Sequence, residues 1–234
     1  MNVCIPYHVQ RVQELTQRDY PRRVEFARWF LQQSAVNPDF GATVLFTNEC
    51  TFTREGAFNT HNQHVWADVN AHATYSHAHQ RRFSINVWAG IIGDHLLGPY
   101  LLPERLNGGK YLTFLQQVLP DMLNDVPPHI RRVMWFQQDG APAHYVRDVR
   151  NYLDITFPNR WIGRGGPVAW PPRSPDLSCL DFLLLGQLKS LMYVTPIESA
   201  EELVARLLVA AGEVCDMVFF RKFANPVFSV VPRA

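Results

Sequence analysis

Apolar residues recur at two periods along this chain, and the points where the period switches mark its elements. Near the start Val9, Val12 and Leu15 fall on one helical face. Pro21 then opens a second helix in which Val24, Ala27, Phe30 and Leu31 repeat at helical spacing until Asn37-Pro38 stops it. Thr43 to Phe46, a β-branched and aromatic run after Gly41, predicts a strand. A polar stretch from Arg54 to Arg82 follows. Phe83 to Ile92 is a second strand, and Leu96 to Leu102, after Gly93-Asp94, is its hairpin partner. From Lys110 the period becomes helical: Tyr111, Phe114, Leu115, Val118, Leu119, Met122 and Leu123 share a face that ends before Pro127-Pro128. Arg131 to Gln137 predicts a buried strand. Beyond Gly140-Ala141-Pro142 a helix carries Val146, Val149 and Leu153, and Val168 to Trp170 is a further short strand. Helices over about 179–192 and 199–214 complete the pattern, the latter with Leu203, Leu207, Leu208, Ala211 and Val214 on one side. The last residues, Phe219 to Ala234, show poor periodicity and are expected to fray.

Strands first, then strand and helix in alternation, describe an α/β protein with a mixed sheet and helices on both faces. The order suits a ribonuclease H-like fold, in which antiparallel strands precede parallel ones. Composition narrows the class further. A chain of 234 residues that is 47% apolar and 18% charged buries a full core, and one principal domain is expected. No signal-like layout begins it and no apolar run spans a bilayer, so a cytosolic or nuclear protein without a membrane partner is expected. Cys4, Cys50, Cys179 and Cys215 lie far apart with no CxxC pair, which favours reduced thiols over zinc. A net charge of +1 does not announce a polyanion partner. Of the 22 basic residues only Lys110, Lys189 and Lys222 are lysines; arginine suits bidentate phosphate contacts, and codon bias produces the same excess.

Two acidic motifs carry the candidate chemistry. Asp139 stands in QQDGAPAH at the end of an apolar strand, and Asp181 closes WPPRSPDLSCLD at the start of an apolar helix. Carboxylates on rigid elements can hold a hard divalent ion for chemistry on phosphates. Each has a plainer reading. Asp139 before Gly140 also fits a turn aspartate, and Ser178-Cys179-Leu180-Asp181 fits a capping box with Ser178 as N-cap. Asp176 equally suits a cap for the Ser174-Pro175 turn. His144 either faces the site, touching phosphate or water, or is a structural histidine. In the polar stretch His77-x-His79 has no third ligand at a metal-site spacing. Arg54, Arg81 and Arg82, with Trp66 between them, suit a segment that meets nucleic-acid backbone by charge and stacking, or an ordinary exposed loop.

Five segments in this order, FTNECTFTREGAFNTHNQHVWAD, RRFSINVWAGI, QQDGAPAH, RWIGRGGPVAWPPRSPDLSCLDF and LKSLMY, resemble the catalytic domain of mariner-type transposases of the DDE superfamily. The likeness is strongest to insect lineages with a long gap between the last two acidic residues, and it runs from about Ile5 to about Leu208. It implies a ribonuclease H-like catalytic domain with three acidic residues on two Mg²⁺ or Mn²⁺ ions, acting in DNA cleavage and strand transfer. It also implies DNA and a second copy of the chain as partners, no small-molecule cofactor, and a nuclear location. Residues 1–40 resemble the helical linker that joins the DNA-binding and catalytic regions; 41–215 match the catalytic domain and 216–234 form a divergent tail. The stretch from Arg54 to Arg82 is similar to the loop that embraces a partner subunit or DNA. The paired helix-turn-helix domains of complete family members have no counterpart in this sequence, so loss of terminal-repeat recognition is expected.

Under this resemblance Asp139 is the second acidic residue and Asp181 the third, while the first falls on Asn48. A neutral amide is a weaker ligand than a carboxylate and removes a negative charge that offsets repulsion between two ions. Successive strand side chains point to opposite faces, so Glu49 is expected to face away from Asn48. An impaired nuclease is therefore expected. The alternative is a non-enzymatic DNA-binding or protein-binding remnant, or a host-recruited fragment of a transposase.

Overall fold

The computed structural model describes residues 15–54 and 83–216. The element order is α1 (Asp19–Val36), β1 (Val44–Thr53), β2 (Ser84–Ile92), β3 (His95–Leu102), α2 (Gly108–Thr113), α3 (Leu119–Met122), α4 (Pro128–Val133), β4 (Trp135–Gln137), α5 (Arg147–Thr156), β5 (Trp161–Ile162), α6 (Leu185–Met192) and α7 (Ala200–Asp216). The strands form one sheet in the order β3-β2-β1-β4-β5. β1 is antiparallel to β2 and β2 to β3, whereas β1, β4 and β5 run parallel. This is the mixed ribonuclease H-like sheet that the pattern predicts.

β1 explains how the sheet is sandwiched. Val44 to Thr47 are all buried, because there the strand has both β2 and β4 beside it and helices above and below. From Asn48 onward only β2 remains alongside, and burial becomes partial except at Phe52, which is 1% exposed. Val44 and Phe46 join a core with α1, α6 and α7, while Leu45 joins the opposite core with α2, α3 and α5. On the first side α7 buries Leu203, Leu207, Ala211 and Val214 along one stripe, while Leu208 stays 57% exposed.

Several predicted elements differ in detail. α1 turns Phe26 and Phe30 inward and leaves Val24 and Leu31 exposed, because it docks on an aromatic cluster that includes Phe40, Trp135 and Trp170. The strand expected over Arg131–Gln137 is shorter: Pro128 opens α4, which consumes Arg131 to Val133 before β4 begins. β5 arises at Trp161–Ile162, and Val168 contributes only an isolated bridge to Ile162. The long helix after Lys110 widens to π geometry over Phe114–Val118, directly before Pro120, whose missing N–H cannot complete the regular ladder. Val9, Val12, the tail from Phe219, and Trp66, Arg81, Arg82 and the clustered histidines lie outside the described residues.

Candidate active site

The candidate site lies where the sheet changes from antiparallel to parallel, beyond the C-terminal end of β4, the position at which open α/β sheets bind ligands. Two buried glutamines prepare it. Gln137 accepts the Thr47 N–H through Oε1 at 3.1 Å, and its carbonyl accepts the Thr47 hydroxyl at 2.7 Å, extending the β1–β4 contact past the ladder. Gln138 donates to the His144 carbonyl at 3.3 Å and accepts the Tyr111 hydroxyl at 3.0 Å. With its side chain and backbone tied, this segment delivers Asp139 rigidly to the rim.

Asp139 has a half-exposed carboxylate whose Oδ1 accepts the Ala141 N–H at 2.9 Å and lies 2.6 Å from His144 Nδ1. Burial pushes its pKa up, but the His144 contact and charge and the Ala141 N–H outweigh that, leaving it below the ordinary value. Asp181 sits in the first turn of a π segment, Leu180–Leu184, that runs into α6. The capping box is not formed: the Asp181 N–H is accepted by the Ser178 carbonyl, at 3.1 Å, rather than by the Ser178 hydroxyl. The Asp181 carboxylate turns instead to the sheet, where Oδ1 accepts Asn48 Nδ2 at 2.7 Å. Asp181 is raised above its ordinary value by burial first, which the Asn48 and Ser178 contacts oppose and the Asp139 charge reinforces.

Asn48 is held at both ends, since its Oδ1 accepts the Glu49 N–H at 2.9 Å. The amide can satisfy a carboxylate on one side and an N–H on the other in only one orientation, so it presents donors to the site. Glu49, on the opposite face of β1, reaches His144 Nε2 at 3.3 Å. His144 is 1% exposed, lies 4.3 Å from the Tyr111 ring, and bridges Glu49 to Asp139. Burial opposes its protonation, yet the Glu49 charge and the contacts to both carboxylates push its pKa up to about 10. The ring is thus buried between the two carboxylates inside the fold.

Asp139 and Asp181 line one cleft of about 380 Å³ together with Asn48, Gly140, Trp170 and Arg173. The contacts to Asn48, Ala141 and His144 engage Oδ1 of each carboxylate and leave the second oxygen of each unused by them. Glu49, Asp139 and His144 also bring ligand atoms within 4.8 Å of one another. Arg54 turns away, donating from Nε to the Ile197 carbonyl at 3.0 Å. Asp176 caps no turn; it pairs with Arg23 of α1, while Arg173 pairs with Asp19 at 2.7 Å. These paired contacts fasten the Trp170–Ser178 wall of the cleft to α1. Among the described residues no helix is long and apolar enough to cross a membrane.

The architecture has clear counterparts among solved structures. A crystal structure of the Mos1 mariner transposase catalytic domain superposes with a TM-score of 0.67 at 18% identity, covering 93% of this chain and 93% of that one. The fold is that of a mariner transposase catalytic domain. The Mos1 paired-end complex with the left transposon end matches with a TM-score of 0.72 at 20% identity, covering 95% of this chain. A mariner Mos1 paired-end complex with Mg matches with a TM-score of 0.72 at 20% identity, over 97% of this chain and 63% of that one. The chain thus spans 62% of the length of the Mos1 chain in the left-end complex. No family model and no curated protein matches it.

On this mariner-type fold, Asn48 and Asp181 are in direct contact and Asp139 shares their cleft. Sequence reasoning missed the partnership of Glu49 with His144, and the two glutamines that brace Asp139. Strand parity did contain part of the answer: Glu49 shares the face of Leu45, on the side where Tyr111 packs. Which side chain would meet it there depended on the path of the chain after β4.

Proposed function

We propose that this chain is a transposase-derived DDE domain that binds DNA, descends from enzymes of DNA cleavage and strand transfer, and is catalytically impaired by Asn48. The carrying observation is the 2.7 Å hydrogen bond from Asn48 Nδ2 to Asp181 Oδ1. At the position where the mariner resemblance expects a carboxylate oxygen aimed at a metal, this chain aims a donor at the next acidic residue. Asp139 and Asp181 fit one hard divalent ion; a second would lack carboxylate charge to offset repulsion between ions. Mos1 structures include complexes with Mg and with Mn, and the same ions are the candidates here. Such an ion supplies activation of an attacking water or 3′ hydroxyl and stabilisation of the leaving oxygen. The chain's own residues hold the geometry: His144 neutralises and orients Asp139, Asn48 fixes Asp181, and the Gln137-Gln138 pair prevents the rim from shifting.

Residues 1–40 are read as the helical linker, 41–215 as the DDE domain and 216–234 as a divergent tail. A nuclear location, a homodimer and descent from an insect mariner lineage complete the reading. The test is plasmid nicking with Mg²⁺ and Mn²⁺ by the native chain, Asn48→Asp and Asp139→Ala. Activity in Asn48→Asp alone supports a metal site broken at one ligand. Native nicking equal to that of Asn48→Asp refutes the impairment.

The same hydrogen bond favours a second reading, a non-enzymatic DNA-binding or protein-binding remnant or host-recruited fragment, because it stabilises the cleft without any ion. DNA binding with no nicking by Asn48→Asp would select it.

A further inference from the structure

Two arginines converge on one tyrosine, and one of them, Arg164, packs beside Gly140 of the cleft. The Arg150 guanidinium, on α5, lies 4.5 Å from the centroid of the Tyr145 ring, and that of Arg164, from the loop after β5, lies 4.3 Å from it. Neither arginine forms an ion pair among the described residues. Arg150 Nε is buried without a hydrogen-bond partner, while Tyr145 is 39% exposed and Arg164 is exposed. Two like charges on a single ring repel each other. The π face of tyrosine offsets part of that repulsion, and an anion between the guanidiniums would remove the rest.

The loop is built for this approach. Gly165 has φ +77, and a Cβ there would sit 3.0 Å from Tyr145 Cε2 and 3.3 Å from Arg150 Cδ. Only glycine lets the backbone press against the pair and turn Arg164 over the ring. The cluster is also continuous with the cleft. A Cβ on Gly140 would lie 3.7 Å from Arg164 Cβ and Cδ, and Gly140 lines the cleft next to Asp139. Two guanidiniums without an ion pair among the described residues therefore meet at an exposed tyrosine next to Gly140, on the side of the cleft that carries Asp139. Guanidinium forks match phosphate oxygens in pairs, and an open rim suits a polymer that passes over it.

We propose that Arg150 and Arg164, held on Tyr145, clamp a backbone phosphate of DNA lying across the cleft beside Asp139. The tyrosine is a positioning residue: with its ring covered by guanidiniums, it orients their N–H groups rather than stacking on a base. This inference rests on the DNA-binding reading above and says where the strand lies.

The test is fluorescence anisotropy of a labelled duplex oligonucleotide titrated with the whole chain over a range of KCl concentrations. Arg150→Gln, Arg164→Gln, the double variant and Tyr145→Leu are compared with Arg132→Gln, which removes the same charge just before β4, at the end of that strand away from Asp139. Thermal melts confirm that each variant is folded. The double variant should lower the slope of log K against log salt by about 0.9, the loss of one phosphate contact, and each single variant by less than that. Tyr145→Leu should weaken binding several-fold while leaving the slope near the native one, since both charges remain. A double variant that binds with the affinity and slope of Arg132→Gln overturns the clamp but leaves the DNA-binding reading standing. A native chain that binds no duplex at the lowest salt overturns both.

Discussion

Asn48→Asp should act on stability before it acts on catalysis. The substitution turns a 2.7 Å amide–carboxylate hydrogen bond into a contact between two carboxylates. A hydrogen bond to a charged acceptor contributes about 1.5–3 kcal/mol. Two like charges about 4 Å apart cost up to about 4 kcal/mol in a medium of effective dielectric constant near 20. Both side chains are only partly buried, and a carboxylate pair relieves itself by sharing a proton, so the two effects do not simply add. The expected loss without metal is about 2–4 kcal/mol near neutral pH, or a fall in Tm of about 5–15 °C for a chain of this size. Burial and the Asp139 charge already raise the Asp181 pKa, and a new neighbouring carboxylate pushes in the same direction. An ion bound by the restored site should reverse the loss, returning about 2.7 kcal/mol at a hundred times its Kd. Thermal melts in EDTA, Mg²⁺ and Mn²⁺ of the native chain, Asn48→Asp and Asn48→Asp with Asp139→Ala measure each part. An Asn48→Asp protein that melts with the native chain in EDTA, or gains no more from Mn²⁺ than the native chain does, would refute the geometry proposed for the cleft.

Other predictions concern the supports of the site. His144 has its pKa raised from 6.5 to about 10 in the fold, so its ion pairs contribute stability that is full below about pH 6.5 and is lost as the pH rises toward 10. Denaturation midpoints of the native chain should fall across that window, and His144→Gln should be less stable at pH 6 and lack that fall. A methyl group on Gly166 would meet the Trp161 ring at 2.7 Å. Gly166→Ala is therefore expected to cost about 1–3 kcal/mol by overpacking, read from urea unfolding. Leu207→Ala empties part of the core under α7 and should cost about 2–5 kcal/mol in the same assay. Arg173→Ala leaves the Asp19 carboxylate with only its Thr16 contacts; a lower Tm and faster proteolysis within Trp170–Ser178 are expected.

The sequence by itself determined what depends on neighbours along the chain. The hairpin of β2 and β3, the stripe of α7, and the placement of Asp139 after a strand and Asp181 at a helix start all follow from local periodicity, and all are present. That the mariner resemblance puts Asn48 where it expects an acidic residue was legible from the motif alone. Only the tertiary structure decided what these residues face. β5 is a strand because β4 lies beside it, and two residues carry too little pattern to say so. The inward face of α1 is chosen by aromatic partners at Phe40, Trp135 and Trp170, distant in sequence. Ser178 and Asp181 have the spacing of a capping box, but the carboxylate finds a better donor in Asn48 across the cleft, and helix capping yields to it. Alternation along β1 put Glu49 opposite Asn48; that a buried histidine, His144, joins Glu49 to Asp139 depended on the path of the chain after β4. Side-chain direction is set by local stereochemistry, whereas the partner met in that direction is set by packing, which no short window of sequence contains.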